Sequence, residues 1–286
     1  MSTTAPPPGC STCQVILLER FRQAIVKAEL DAHPAQATHL PHPGDLAADR
    51  TKLWDNGKVF QVWFINGKKH QKHVAIVKEV VKEWEMYANV SFTFPSEWNE
   101  ESPPEVRILF AEDGNWSYIG RDILKVIDAV DEDDDTPDRQ KKTMNLKPAD
   151  TSREGAEAKF RGTILHEFGH TLGFMHEHQR PDAEFKFKYN TQKLYEWYER
   201  KYGWGLPKVY EQVFNFEENE GRVFAANALD TKSIMMYSVP AEILEAGSPA
   251  IPPNYVLSDG DKKWVARLYP QKGERQPWKP EEIIYG

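Results

Sequence analysis

Most of the chemistry this chain can do lies in eleven consecutive residues. His166, Glu167, His170, Gly173 and His176 stand in the pattern H-E-x-x-H-x-x-G-x-x-H, a signature of zinc sites. Residues four apart share one face of a helix, so His166 and His170 can place two imidazoles on one metal ion. A straight helix would carry His176 off that face. Glycine enters the left-handed region cheaply, so Gly173 can turn the chain and bring His176 back as a third ligand. A catalytic zinc takes about three protein ligands and keeps a position for water. Glu167 is adjacent to His166, beside the metal rather than among its ligands, where a carboxylate can take a proton from that water.

A second piece lies downstream in Ser233-Ile234-Met235-Met236-Tyr237. A methionine turn beneath a zinc site gives the imidazoles an apolar, polarisable floor. Tyr237 can reach the metal as a phenolate-like ligand, or donate a hydrogen bond to an oxyanion during attack. Taken alone, Ser-x-Met-x-Tyr is a weak signal, because methionine and tyrosine pairs are usually core, and it gains weight from the histidines upstream. A purely structural zinc is the rival to a catalytic one. Structural sites are closed by four protein ligands, often cysteine. Here the local motif supplies three histidines, and Tyr237 would have to be the fourth.

These residues need elements to hold them. The spacing predicts a helix starting near residue 152 and stopping at Gly173. Thr151 and Glu154 have capping-box spacing, and Ser152 competes as the cap. Val74, Val77, Val80, Val81, Trp84 and Tyr87 recur at helical spacing and predict a long helix over about 69–88. Lys58 to Ile65 is β-branched and aromatic, closed by Asn66-Gly67, and reads as a buried strand. Val90 to Phe94 and Glu105 to Phe110 read as two more short strands, and Thr143 to Leu146 as an edge strand. Further helices are expected over 14–31, near 190–202, near 207–214 and from Ser258–Asp261 to Leu268, which Pro270 ends. Helices between short strands predict a partly parallel sheet with helices against it.

Composition narrows the classes. The chain has 286 residues, 40% of them hydrophobic and 28% charged, enough for a sizeable core and too apolar for general disorder. Its net charge of −8 disfavours nucleic acid as a partner. No run of roughly 18 apolar residues is present, so no membrane span is expected. The only cysteines are Cys10 and Cys13, which excludes a disulfide framework. Met1 to Arg20 lacks the basic start and apolar run of a secretory signal. Together these features slightly favour a cytoplasmic over a secreted protein. The acidic run Asp131 to Asp135 offers oxygens to calcium but matches no EF-hand spacing, and a solvated loop reads the same way.

HEFGHTLGFMHEHQRPD, the hexapeptide Trp116-Ser117-Tyr118-Ile119-Gly120-Arg121, SIMMY and the opening Leu53-Trp54-Asp55-Asn56-Gly57 together resemble the astacin family of metzincin metallopeptidases. The resemblance runs from about Leu53 to Pro270. It implies that His166, His170, His176 and Tyr237 bind Zn2+, that Glu167 is the catalytic base with Tyr237 assisting, and that Met235 is the methionine-turn residue. The implied activity is that of a zinc metalloendopeptidase acting on internal bonds of a protein or peptide substrate, which would add as an antiparallel strand to an edge strand at Ser117–Gly120. Departures are visible. The family's two disulfides are absent, Asn115 stands where one of its cysteines is expected, Met236 replaces a frequent histidine, and the stretch 128–138 looks inserted.

The resulting expectation is an α+β metzincin fold. Residues 1–50 form an N-terminal extension, 51–270 the catalytic domain and 271–286 a tail. The upper lobe, about 53–173, holds a twisted mixed sheet and two long helices. The lower lobe, about 174–270, is irregular, with the methionine turn and a final helix. The N-terminal segment is a candidate for autoinhibition. Asp45, in Pro43-Gly44-Asp45-Leu46, resembles the glycine-aspartate switch of astacin propeptides, and a thiolate of Cys10 or Cys13 is the softer alternative. A plain packing helix with two idle thiols explains the same residues.

Overall fold

The computed structural model describes residues 48–49, 52–128, 136–179, 188–205, 209, 213, 223–224 and 229–272. Strand β2, Val59–Phe64, alternates as its sequence requires, with Phe60 and Val62 fully buried. It pairs in parallel with β3, Ser91–Thr93, and with β4, Val106–Leu109. Strand β6, Met144–Asn145, continues the parallel run, and β5, Trp116–Ser117, closes it antiparallel. The order is therefore β3-β2-β4-β6-β5, a mixed five-stranded sheet.

Two expectations about this sheet need correction. The 143–146 segment is not an edge strand. It lies between β4 and β5, and Trp116–Ser117 takes the edge instead. A two-residue strand carries no periodic signal of its own, so periodicity does not reveal that it covers β6. The edge strand placed at 117–120 also begins and ends earlier, at Trp116–Ser117.

The predicted helix over 69–88 is two helices, α1 at Gln71–Val80 and α2 at Lys82–Glu85. The chain tightens between them, where the Trp84 N–H turns to the Val81 carbonyl at 3.2 Å, one residue nearer than an α-helical partner. A short helix α3, Asp122–Asp128, follows β5. The long helix α4 runs Ala156–Thr171 and packs against α1. It starts four residues later than expected, and the Thr151–Glu154 box does not form. Asp150 Oδ1 takes the Ser152 N–H at 3.2 Å and the Ser152 hydroxyl at 2.5 Å, which closes a local turn and removes that cap.

The main core lies between sheet and helices, with Trp84, Phe60, Ile108, Phe168 and Phe174 among its fully buried members. A second cluster gathers Leu194, Trp197, Tyr198, Met236, Val239 and Ile251 around α5, Thr191–Tyr202. Asn190 caps α5 by accepting the Lys193 N–H at 3.0 Å. The last helix, α6 at Asp259–Leu268, has a complete Ser258–Asp261 capping box. Its Trp264, Val265 and Leu268 belong to the first cluster, although α5 precedes it in the chain. Ala48–Asp49 forms β1, antiparallel to β7 at Val223–Phe224, and Ala48 also bridges Phe174. The helices expected over 14–31 and near 207–214 lie outside the described residues, apart from the buried Val209 and Val213. Among the described residues no helix is long and apolar enough to cross a membrane.

The chain leaves β5 through Gly120, at φ 49°. Its N–H bonds to the His170 carbonyl at 2.8 Å, and the Arg121 N–H to the Lys52 carbonyl at 2.8 Å. A Cβ at residue 120 would fall well inside 3.0 Å of Lys52 backbone atoms. Gly120→Ala is therefore expected to cost at least about 2 kcal/mol and roughly 5 °C in Tm. Gly155→Ala, at φ 73° with open space around the added carbon, should cost about half as much. Parallel thermal melts of the two variants check the difference.

Candidate active site

Helix α4 presents His166 and His170 one turn apart, both more than nine-tenths buried. Each ring is aimed by its Nδ1–H. His166 donates to the Ile234 carbonyl at 2.7 Å and His170 to the Phe174 carbonyl at 2.8 Å. Those bonds leave both Nε2 atoms as acceptors. Gly173, at φ 99°, turns the chain immediately past the helix. Its N–H returns to the His170 carbonyl at 2.8 Å and the Phe174 N–H to the Gly169 carbonyl at 3.0 Å. His176 then reaches back, with its Nε2 2.9 Å from His170 Nε2. One ligand atom from each of the three histidines falls within 4.8 Å of the others.

The C-terminal end of α4 is tied down by three distant groups. Its orphan carbonyls accept from the Gly120 N–H, from Trp54 Nε1 at 2.8 Å on Thr171, and from the Tyr269 hydroxyl at 2.7 Å on Leu172. Tyr269 also accepts the Trp54 N–H at 3.2 Å. Trp54 stands in the opening stretch that resembles the family, but no spacing rule gives it this task. Tyr269 carried no signal at all.

The 233–237 turn lies beneath the helix. Its Met236 N–H bonds to the Ser233 carbonyl at 3.0 Å. Met235 is fully buried, and a Cβ on Gly169 would come within 2.5 Å of its Sδ. The thioether therefore packs directly on the histidine-bearing face. The Glu177 N–H donates to the Met235 carbonyl at 3.0 Å, which fastens the His176 segment to the same turn. The Tyr237 Oη lies 2.6 Å from His176 Nε2. Its ring stacks at 4.5 Å on His178, a buried histidine that the sequence reading did not single out.

Glu167 is 1% exposed, and its Oε2 has no hydrogen-bond partner among the described residues. Burial pushes its carboxyl up to about 8. Burial holds His166 down to about 4, against the bond to Ile234. It takes His170 to about 3, helped by the neighbouring His166 charge. Burial thus keeps His166 and His170 neutral, as metal ligation demands. His166 Nε2 is likewise buried without a partner. Three converging imidazole nitrogens, one of them the orphaned His166 Nε2, form a donor set that a divalent metal would complete, with the orphaned Glu167 Oε2 beside it.

These groups open on a cleft of about 590 Å³, lined by His166, Glu167 and Tyr237 on one side and by Asn115, Tyr202 and Tyr255 on others. Strand β5 lies at the sheet edge on the α4 side. Asp45, Cys10, Cys13 and the run Asp131 to Asp135 lie outside the described residues.

A mixed sheet, a histidine-bearing helix broken at glycine and a methionine turn beneath it define the metzincin class of α+β zinc peptidases. Residues 153–254 match the family model for Astacin, described as a peptidase family. The structure of myroilysin superposes with a TM-score of 0.66 at 30% identity, covering 79% of this chain and 98% of that one. Astacin-like metalloprotease toxin 4 of Loxosceles laeta is 35% identical over 78 residues, 27% of this chain and 57% of its own. Tolloid-like protein 1 of Mus musculus is 30% identical over 141 residues, 48% of this chain and 11% of that one. The chain therefore matches only part of these two relatives. It belongs to the astacin family of zinc metalloendopeptidases.

The buried glutamate has a measurable consequence. Glu167 binds its proton more tightly folded than unfolded, so metal-free protein loses stability as pH rises from 4.5 through about 8. His166 and His170 act in the opposite sense, and only below their ordinary value of 6.5. Between pH 6.5 and 8 the slope therefore reads Glu167 among these three. In chelator, the wild-type Tm should fall across that window, at most by the equivalent of roughly 1.4 kcal/mol per pH unit. Glu167→Gln should flatten the fall, and calorimetry on both proteins checks it.

Proposed function

We propose that the chain hydrolyses internal peptide bonds, with Zn2+ held by His166, His170 and His176 and with Glu167 as general base. The observation that carries this reading is the Glu167 carboxylate, buried with an orphan oxygen beside three converging imidazoles. A structural site has no use for such a group, because a buried carboxyl without partners costs stability. Bound zinc would polarise the scissile carbonyl and lower the pKa of a water toward roughly 7.

The remaining work falls to the chain. Glu167 takes the proton of the attacking water and passes it to the leaving amine. The Tyr237 hydroxyl, beside His176, donates to the oxyanion as the carbonyl becomes tetrahedral. The outer edge of β5 and the cleft beside it offer backbone groups to an extended peptide. The substrate is therefore a protein or peptide in extended form.

Cleavage of casein with and without chelator tests the activity, and three variants test the assignments. Glu167→Gln should keep about one zinc per chain and lose about 10²–10⁴ in turnover. His170→Ala should lose the metal itself. Near-normal turnover in zinc-loaded Glu167→Gln would sink the mechanism.

Tyr237→Phe should lower kcat more than it raises KM, because its bond is made mainly in the transition state. Unchanged kcat with a lowered Tm would assign Tyr237 to packing instead.

A further inference from the structure

We propose that Asp261 is a positioning residue for the metal centre, acting through the Ile234 peptide on His166. This inference rests on the zinc reading above.

Asp261 sits in the first turn of α6, 1% exposed. A helix cap needs only its bond to the Ser258 N–H, at 2.8 Å. The same carboxylate takes two more donors from the methionine turn, almost thirty residues upstream. Oδ1 accepts the Ser233 hydroxyl at 2.6 Å, and Oδ2 accepts the Ile234 N–H at 2.8 Å. Ser233 Oγ in turn accepts the Met235 N–H at 3.0 Å. Ile234 therefore has its N–H on Asp261 and its carbonyl on His166 Nδ1. One residue connects a buried carboxylate to a metal-facing imidazole.

All three partners of the side chain are donors, so the position calls for a group that only accepts. An amide of the same shape would turn its N–H₂ either toward the N–H donors of Ser258 and Ile234 or toward the Ser233 hydroxyl, which would then lose the acceptor of its own proton. The peptide of Ile234 would then shift, and His166 would lose the fixed carbonyl that selects its tautomer and ring angle. Asp230 extends the arrangement. Its Oδ2 accepts the Ser258 hydroxyl at 2.6 Å, and its N–H donates to Glu177 Oε1 at 2.9 Å.

A plain capping role predicts something different. Ser258→Ala removes the hydroxyl that accepts the Asp261 N–H at 2.9 Å and donates to Asp230, and so weakens the cap while the Asp261 bonds to Ser233 and Ile234 stay in place. It should lower the Tm by about 2–4 °C and leave the metal centre alone.

The test compares full-length wild type, Asp261→Asn and Ser258→Ala. Zinc affinity is measured by chelator competition, and the visible spectrum is recorded after cobalt substitution. Asp261→Asn is expected to weaken zinc binding by about 10–100-fold and to shift the cobalt bands, while Ser258→Ala matches wild type in both. Zinc affinity of Asp261→Asn within about twofold of wild type overturns the proposal, and so does an equal loss in Ser258→Ala. Should Asp261→Asn not accumulate folded, Ser233→Ala probes the same link. It should weaken zinc severalfold, and wild-type affinity there overturns the proposal. Absence of zinc binding by the wild type is a separate result and refutes the metal centre itself.

Discussion

Two hydrogen bonds aim the site, from His166 Nδ1 to the Ile234 carbonyl and from His170 Nδ1 to the Phe174 carbonyl. An imidazole can rotate about its side-chain bonds and can carry its proton on either nitrogen. A metal accepts neither freedom, because it needs an unprotonated Nε2 at a fixed point. Both carbonyls belong to turns rather than to regular elements. Everything that locates those turns therefore locates the candidate metal ligands. Gly173 bends the chain so that Phe174 faces back to His170. The packing of Met235 on Gly169 holds the second turn against the same helix.

The region from Leu53 to Pro270 contains no cysteine, so no covalent tie fixes these turns. Hydrogen bonds over long sequence separations do that work. Trp54 reaches Thr171 across 117 positions, and Tyr269 reaches Leu172 across 97. Each satisfies a carbonyl that the end of α4 leaves open, and a buried open carbonyl costs more than a satisfied one gains. The same groups that finish the helix chemically thus hold the start and the end of the domain to it.

What the sequence revealed follows the range of the interactions. The three histidines, Glu167 and the stop at Gly173 depend on spacing within one turn or two, so they could be read directly. The cap of α6 is equally local, and Ser258 and Asp261 form it as their spacing indicates. The start of α4 was also a local question, but two short-range solutions competed, and Asp150 took Ser152 away from the helix. The position of β6 inside the sheet depended on Trp116–Ser117, a strand too short to announce itself. Asp261 shows the limit most sharply. Its capping bond was legible, whereas its bonds to Ser233 and Ile234 join segments that only tertiary packing brings together.

The burial that makes the site selective also makes it costly. A carboxyl pushed to about 8 is largely protonated at neutral pH and so is a poor base without metal. A divalent ion among the imidazoles would reverse this. Its charge favours the carboxylate, and the same burial that penalised the charge strengthens the attraction in a medium of low dielectric. On the proposed mechanism, metal binding and activation of Glu167 would be one event rather than two. The neutral imidazoles fit that logic, since burial had already removed the protons that a metal would need to displace. On the proposed mechanism, the protein without metal holds its candidate ligands ready and its base protonated, and an ion filling the ligand set would also create the base.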